Sequence, residues 1–277
     1  MNDEEKNILL EEQNRIEDTI SKIKHRIAVF SGKGGVGKTT VSVNIAYSLR
    51  LQGFSVGILD ADITGPNVAK MLDVNDELFV SDKTIIPYEK YGAKMISIAG
   101  SIGHGQPVIW RGPMRSKIIN QFLADVEWGE LDYLIADLPP GTGDEILTIV
   151  QKMKPDYAAI VTTPQEVSII DAERAINMAK KLEIINIGVI ENMSGFVCPH
   201  CSAVLNIFGE GGGERLANEF DVQFLGSIPI DIDARILGDK GTPIVLEKPD
   251  CEVSLSFKLI SGLINNSFKV TEKEPSS

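Results

Sequence analysis

Cysteine is scarce in this chain. Three thiols among 277 residues are too few for a disulfide framework. The expectation is a reducing, cytoplasmic setting in which thiols stay available for metal. Basic charge is short as well: 27 Lys and Arg stand against 39 Asp and Glu, a net charge of −12. General nucleic-acid binders are usually basic, and anionic membranes repel an acidic chain, so neither partner is expected. No apolar run reaches the length of a membrane-spanning helix. The start, Met1-Asn2-Asp3-Glu4-Glu5, lacks the apolar segment of a signal peptide. No repeat of fixed period is visible, and no composition shift marks a boundary. With 43% apolar residues, there is core enough for one large domain.

The most informative segment is Gly32-Lys33-Gly34-Gly35-Val36-Gly37-Lys38-Thr39, followed by Thr40. It fits the P-loop spacing G-x-x-x-x-G-K-S/T, between an apolar strand-like run at 27–30 and a helical run at 40–51. The glycines let backbone N–H groups turn inward on phosphate oxygens, and the helix N-terminus favours the anion. Lys38 is expected to reach the β- and γ-phosphates, and the Thr39 hydroxyl to ligate Mg²⁺. Lys33 is a second cation that a P-loop does not need. Without an acidic neighbour in the loop it costs repulsion unless an anion is bound. It reads as a contact to nucleotide phosphate, that of a partner subunit included, or as a solvated surface lysine.

Strand-like runs at 27–30, 56–59, 95–98, 133–136, 157–161, 187–190 and 223–225 alternate with helical stretches at 40–51, 114–123, 145–153, 167–182, 213–220 and 252–264. Continuous Val/Ile/Leu runs joined by helices mean parallel strands buried on both faces. The predicted fold is therefore α/β, a doubly wound, mostly parallel sheet with function at the carboxyl ends of the strands. Residues 1–25 read as a helical extension, with a partial apolar stripe from Ile8 to Ile23. Residues 26–266 read as the P-loop domain, with a metal segment near 196–208, and 267–277 as a disordered tail.

Two strand ends are acidic. The run at 56–59 leads into Asp60-Ala61-Asp62, and alternation puts both carboxylates on one side, facing a γ-phosphate. One carboxylate would hold the Mg²⁺ water shell and the other the attacking water. The alternative is a turn with solvated or capping aspartates. The run at 133–136 ends in Asp137, a Walker-B arrangement supporting Mg²⁺. Pro139-Pro140-Gly141-Thr142-Gly143 then reads as a switch, and Asp144 as a helix cap.

Cys198-Pro199-His200-Cys201 supplies two thiols at metal-sharing spacing. Zinc and a 4Fe–4S cluster each want four ligands, and no second C-x-x-C exists here. Two chains on a two-fold axis would supply four thiolates, which favours a homodimer. On the residues alone zinc and iron–sulfur are equal, with His200 read as a neighbour. A redox dithiol is the third reading. Cys251 reads as a small buried apolar residue, and His25 and His104 show no evident partner.

Taken together, residues 25–265 resemble the Mrp/ApbC-type iron–sulfur carrier ATPases, relatives of the Nbp/Cfd scaffold proteins in the deviant-P-loop group of MinD/ParA and the nitrogenase iron protein. The resemblance rests on GKGGVGKT at 32–39, DADITGPN at 60–67, WRGPM at 110–114, DLPPGTGD at 137–144, ENMSGF at 191–196 and CPHC at 198–201. It implies a slow, switch-like ATPase, a homodimer with ATP at its interface, and Lys33 on the partner's nucleotide. It implies Asp62 positioning the attacking water, Asp60 and Asp137 in the Mg²⁺ network, and Asn192 against adenine. It also implies that Cys198 and Cys201 share a labile 4Fe–4S cluster with the partner's pair, for delivery to apoproteins. The donor is not specified. Relatives with a ferredoxin-like site carry cysteines before the P-loop; this chain has none, so a stable second cluster is not expected. Two rivals remain: a MinD/ParA-like positioning ATPase, which would need a basic amphipathic C-terminal helix, and a zinc-stapled dimeric switch.

Overall fold

The computed structural model describes residues 3–81, 84–101 and 112–271. Helix α1 (Asp3–Ser21) leads into strand β1 (Ile23–Phe30), helix α2 (Lys38–Leu51) and strand β2 (Val56–Asp60). A one-turn helix α3 (Val68–Met71), a hairpin of β3 (Phe79–Ser81) and β4 (Thr84–Ile86), and strands β5 (Tyr88–Lys90) and β6 (Ala93–Ile96) follow. Next come α4 (Gly112–Ala124), β7 (Leu131–Asp137), α5 (Asp144–Met153), β8 (Tyr157–Thr162), α6 (Glu166–Lys181) and β9 (Asn186–Val197). The chain closes with β10 (Val204–Leu205), α7 (Gly212–Glu219), β11 (Gln223–Ile230), α8 (Ile232–Asp239), α9 (Ile244–Glu247) and α10 (Glu252–Thr271).

Among the described residues the main sheet has nine strands in the order β10-β9-β8-β1-β7-β2-β6-β5, with β11 also pairing β9. All its pairs are parallel except β5 with β6 and β9 with β10. The period of two divides the strands between two cores. In β1, Ile27 and Val29 face a layer built with α2 and α10, while Ala28 and Phe30 face α4, α5 and α6. Helices on both faces explain why these strands are apolar throughout. The expected doubly wound sheet is what forms.

Several boundaries differ from expectation. β1 begins at Ile23 because pairing of Ile23 with Leu131 draws a polar stretch into the sheet. There His25 stacks on Phe268, ring centroids 4.0 Å apart, a partner that sequence reading had not found. α10 runs to Thr271, past the expected end at 264, because Phe268 is buried in the α2 layer. Its inner face, Val253, Phe257, Ile260 and Ile264, is buried, while Leu255 and Leu259 on the outer face are exposed. Gly143 occupies the N-cap of α5, and Asp144 is the first helical residue instead of the cap. Cys251 is half-buried, its Sγ 3.3 Å from Ser254 Oγ. β3, β4, β5, β10, α3 and α9 are too short to print a period on the sequence, and α8 was not read either. His104, Trp110 and Arg111 lie outside the described residues.

Candidate functional site

The P-loop joins the carboxyl end of β1 to α2. Gly37 sits at the helix N-cap with φ 80°, a left-handed conformation that glycine adopts without a Cβ penalty. A Cβ there would lie 2.3 Å from Asn192 Nδ2, so the position is closed sterically as well. Asn192, almost fully buried on β9, donates from that amide to the Val36 carbonyl at 2.8 Å. The loop is thereby tied to a strand that lies two places away from β1 in the sheet.

The register puts Asp137 beside Val29 on one side and beside Asp60 on the other. Asp137 is fully buried and accepts from Lys38 Nζ at 2.6 Å, Thr39 Oγ1 at 2.7 Å and Ser42 Oγ at 2.8 Å. Sequence reading had not singled out Ser42; its place one turn after Lys38 on α2 is the signal for it. Asp60, also fully buried, accepts from Ser97 Oγ at 2.9 Å and from Val68 N–H at 3.2 Å. Burial, then the Asp137 charge, pushes its carboxyl up to about 8.

The two aspartates of the β2 end part company. Strand geometry stops at Asp60, so the alternation expected to place Asp60 and Asp62 together does not reach Asp62. Asp62 lies in the following turn, where its Oδ1 accepts from Thr64 Oγ1 at 2.8 Å and Gly65 N–H at 3.1 Å. It opens on a cavity of about 750 Å³, whereas Asp60 is not among the lining residues. The cavity wall includes the P-loop from Lys33 to Thr40, Asp62, Pro140 and Asn192. Its far wall, Pro229, Ile230, Asp231, Arg235 and Phe257, comes from the end of β11 and from α8 and α10. Sequence reading had not included that wall. Its faint signal is Asp231, which caps α8 by accepting from Ala234 N–H at 2.8 Å. The 139–143 loop leans on the start of the P-loop through Gly141 N–H, which donates to the Ser31 carbonyl at 2.9 Å.

Cys198 and Cys201 are elsewhere. β9 continues past the cavity and pairs its last residues, Phe196 and Val197, with Leu205 and Val204 of β10. The C-x-x-C turn is the tip of this arm. Cys198 N–H donates to Ala203 O, and Ser202 N–H donates to Cys198 O, both at 2.9 Å. The backbone N–H groups of His200 and Cys201, followed by the Cys201 side chain, hold the Cys198 thiol below its usual range. Val197, Val204, Leu205 and Ile207 are exposed around the tip.

A family model of NUBPL iron-transfer P-loop NTPases, of the ParA group, matches residues 22–264. The chain belongs to this family. Among relatives of this NUBPL-type NTPase, the iron–sulfur cluster carrier protein of Methanocaldococcus jannaschii is 55% identical over 92% of this chain and 89% of its own length. The iron–sulfur cluster transfer protein NUBPL of Dictyostelium discoideum is 42% identical over 92% and 82%. A solved nucleotide-binding protein of Archaeoglobus fulgidus, in complex with ADP, is 40% identical, with a TM-score of 0.75 over 87% of this chain and 94% of its own. MinD of Aquifex aeolicus, 23% identical with a TM-score of 0.62, shares the fold. The resemblance drawn from the motifs holds at the level of the family. No helix among the described residues is long and apolar enough to cross a membrane.

Proposed function

We propose that this NTPase is a slow, switch-like ATP hydrolase that carries a labile 4Fe–4S cluster between two copies of itself, in the cytoplasm, and delivers it to apo iron–sulfur proteins. The observation that carries this reading is the thiol turn: two cysteines at the tip of an arm built by β9 and β10, with apolar residues exposed beside them. Among the described residues no group of three or more His, Cys, Asp or Glu side chains converges as a metal site. Each chain thus brings two thiolates, and a second copy completes four while covering the exposed valines and leucine. The relatives' names point to the same cargo.

In this reading Lys38, Thr39 and the P-loop amides hold the ATP phosphates, and Lys33 reaches the nucleotide of the other copy. Asn192 donates to the loop and offers its Oδ1 to the amino group of adenine. The residues suit Mg²⁺: Thr39 and Asp137 oxygens are paired, and Ser31 Oγ and Asp60 Oδ1 are buried with no partner among the described residues. Bound there, Mg²⁺ would neutralise charge on the β- and γ-phosphates. Asp62 orients the water whose oxygen bonds to the γ-phosphorus as the bond to the bridging oxygen breaks, releasing ADP and phosphate. The displaced proton leaves through Asp62 to solvent.

The test is anaerobic iron–sulfur reconstitution of wild type and of Cys198→Ala/Cys201→Ala, read by visible absorption and iron content. A brown chromophore near one cluster per dimer, absent from the double variant, is expected. A colourless protein, or one holding zinc, would overturn the carrier reading in favour of a zinc-stapled switch.

A further inference from the structure

The thiol arm is an excursion of β9 out of the sheet. Pairing with β8 ends at Glu191, opposite Thr162. Against β11 the register jumps from Ile228↔Asn192 to Ile230↔Phe196, so the chain between them bulges. Met193 at φ 58° and Gly195 at φ 80° make this bend, and the left-handed Met193 is a strained position for a side chain. The chain then runs out through the cysteines and returns at Gly211, which caps α7.

One side chain grips both ends of this excursion. Glu191 is fully buried. Its Oε1 accepts from Ser194 Oγ at 2.6 Å, where the arm leaves, and from Gly211 N–H at 3.1 Å, where it returns. Its Oε2 accepts from Gly213 N–H at 2.6 Å. A Cβ at Gly213 would stand 2.9 Å from Glu191 Cβ, so the return leg is packed directly on this residue. The next residue along β9 is Asn192, which is bonded to the P-loop.

We infer that Glu191 is a positioning residue, clipping the base of the thiol arm to the strand that carries Asn192, so that nucleotide state is felt at Cys198 and Cys201. The clip needs acceptors only. A buried carboxylate meets three donors without conflict, whereas a glutamine amide would set N–H against N–H at one leg. The grip does not depend on which metal the thiols bind, although its use in cluster delivery rests on the reading above.

The test uses full-length, metal-free protein, with iodoacetamide as probe and mass spectrometry reading each cysteine; Cys251 is the internal reference. Rates are measured with ADP and with a non-hydrolysable ATP analogue. In wild type, exchanging one nucleotide for the other is expected to change the rates at Cys198 and Cys201 by about fivefold or more, the size of ordinary coupling between sites. In Glu191→Gln the ratio is expected to fall to about one while nucleotide affinity stays within about twofold, since the residue touches no nucleotide. Ser194→Ala, which cuts only the outgoing leg, is expected to shift the ratio the same way and keeps the test alive if Glu191→Gln does not fold. An unchanged ratio in both variants, loss of nucleotide binding alongside loss of the ratio, or a wild type indifferent to nucleotide each overturns the inference. These results are separable from the carrier reading: reconstitution can succeed without the clip, and thiols can respond to nucleotide in a protein that takes up no cluster.

Discussion

Asp60 and Asp137 end neighbouring parallel strands in register, and among the described residues only Asp137 has a cation bonded to it. Among the described residues, Lys38, Thr39 and Ser42 converge on Asp137, while Asp60 is left with one hydroxyl, one amide and an unpartnered Oδ1. Burial, and after it the Asp137 charge, raises the Asp60 carboxyl to about 8, which favours its protonated form at neutral pH.

The raised Asp60 carboxyl, up to about 8 against 3.8 ordinarily, has a defined sign in stability. Between those values the native state holds a proton that the unfolded chain has released. The stabilisation is complete below the ordinary carboxylate range and is lost as pH rises toward about 8. In nucleotide-free protein with EDTA, wild-type Tm should fall from pH 5 to pH 9 more steeply than that of Asp60→Asn. Parallel curves would show that Asp60 is ionised throughout.

Lys38→Met leaves Asp137 charged and buried with only hydroxyl donors. A loss of about 3–5 kcal/mol in urea unfolding is expected, together with loss of ATP binding. Lys38→Met/Asp137→Asn should recover much of the stability and none of the binding, because the uncompensated charge is gone but the phosphate contact is not restored. Equal destabilisation in both variants would place the effect elsewhere.

Asp62→Asn should separate binding from hydrolysis. It lines the cavity and is anchored by Thr64 and Gly65. ATP hydrolysis is expected to drop by about 10²–10⁴-fold, the worth of a positioned base, with ATP affinity changed only a few-fold. A variant that hydrolyses at the wild-type rate would remove Asp62 from the reaction.

Gly37→Ala introduces a left-handed alanine whose Cβ meets Asn192 Nδ2 at 2.3 Å. The added strain is about 1–3 kcal/mol, and Asn192 must swing away from the Val36 carbonyl. Fluorescent adenine nucleotide should bind about tenfold or more weakly. Gly262→Ala on α10, where a Cβ meets nothing within 4 Å and the residue does not line the cavity, is the control and should bind nearly normally.

Alkylation of Cys198 should reach half its maximal rate at a pH below the ordinary thiol range, because the His200 and Cys201 N–H groups favour the thiolate. Removing the Cys201 thiol as Cys201→Ser should move the midpoint only in part, since the backbone donors remain. A midpoint at the ordinary value would mean that the turn does not present those N–H groups to the sulfur.

Much of this protein was legible from local pattern. Strand-like runs such as 157–161 are apolar throughout because helices cover both faces, and continuous apolar runs between helices are visible without coordinates. The P-loop was legible because phosphate binding demands glycine at particular spacings. Elements of a few residues, such as α9, were not legible, since a period needs length to show. The expected pairing of Asp60 with Asp62 on one side did not form, because alternation holds only while a strand lasts, and this one ends at Asp60; of the two, Asp62 alone lines the cavity.

Sequence alone was enough for the long strands and helices of the sheet, the phosphate loop, the acidic strand ends and the paired thiols, because each is dictated by backbone chemistry within a few residues. Tertiary structure decided what depends on residues far apart in the chain. Lys38 meets Asp137 because β1 and β7 lie side by side. Asn192 reaches Val36 because β9 is carried next to the P-loop. Glu191 finds Gly211 and Gly213 only because the chain bulges out and comes back. Charge state and hydrogen bonding are set by neighbours in space, and the packing of the sheet chooses those neighbours.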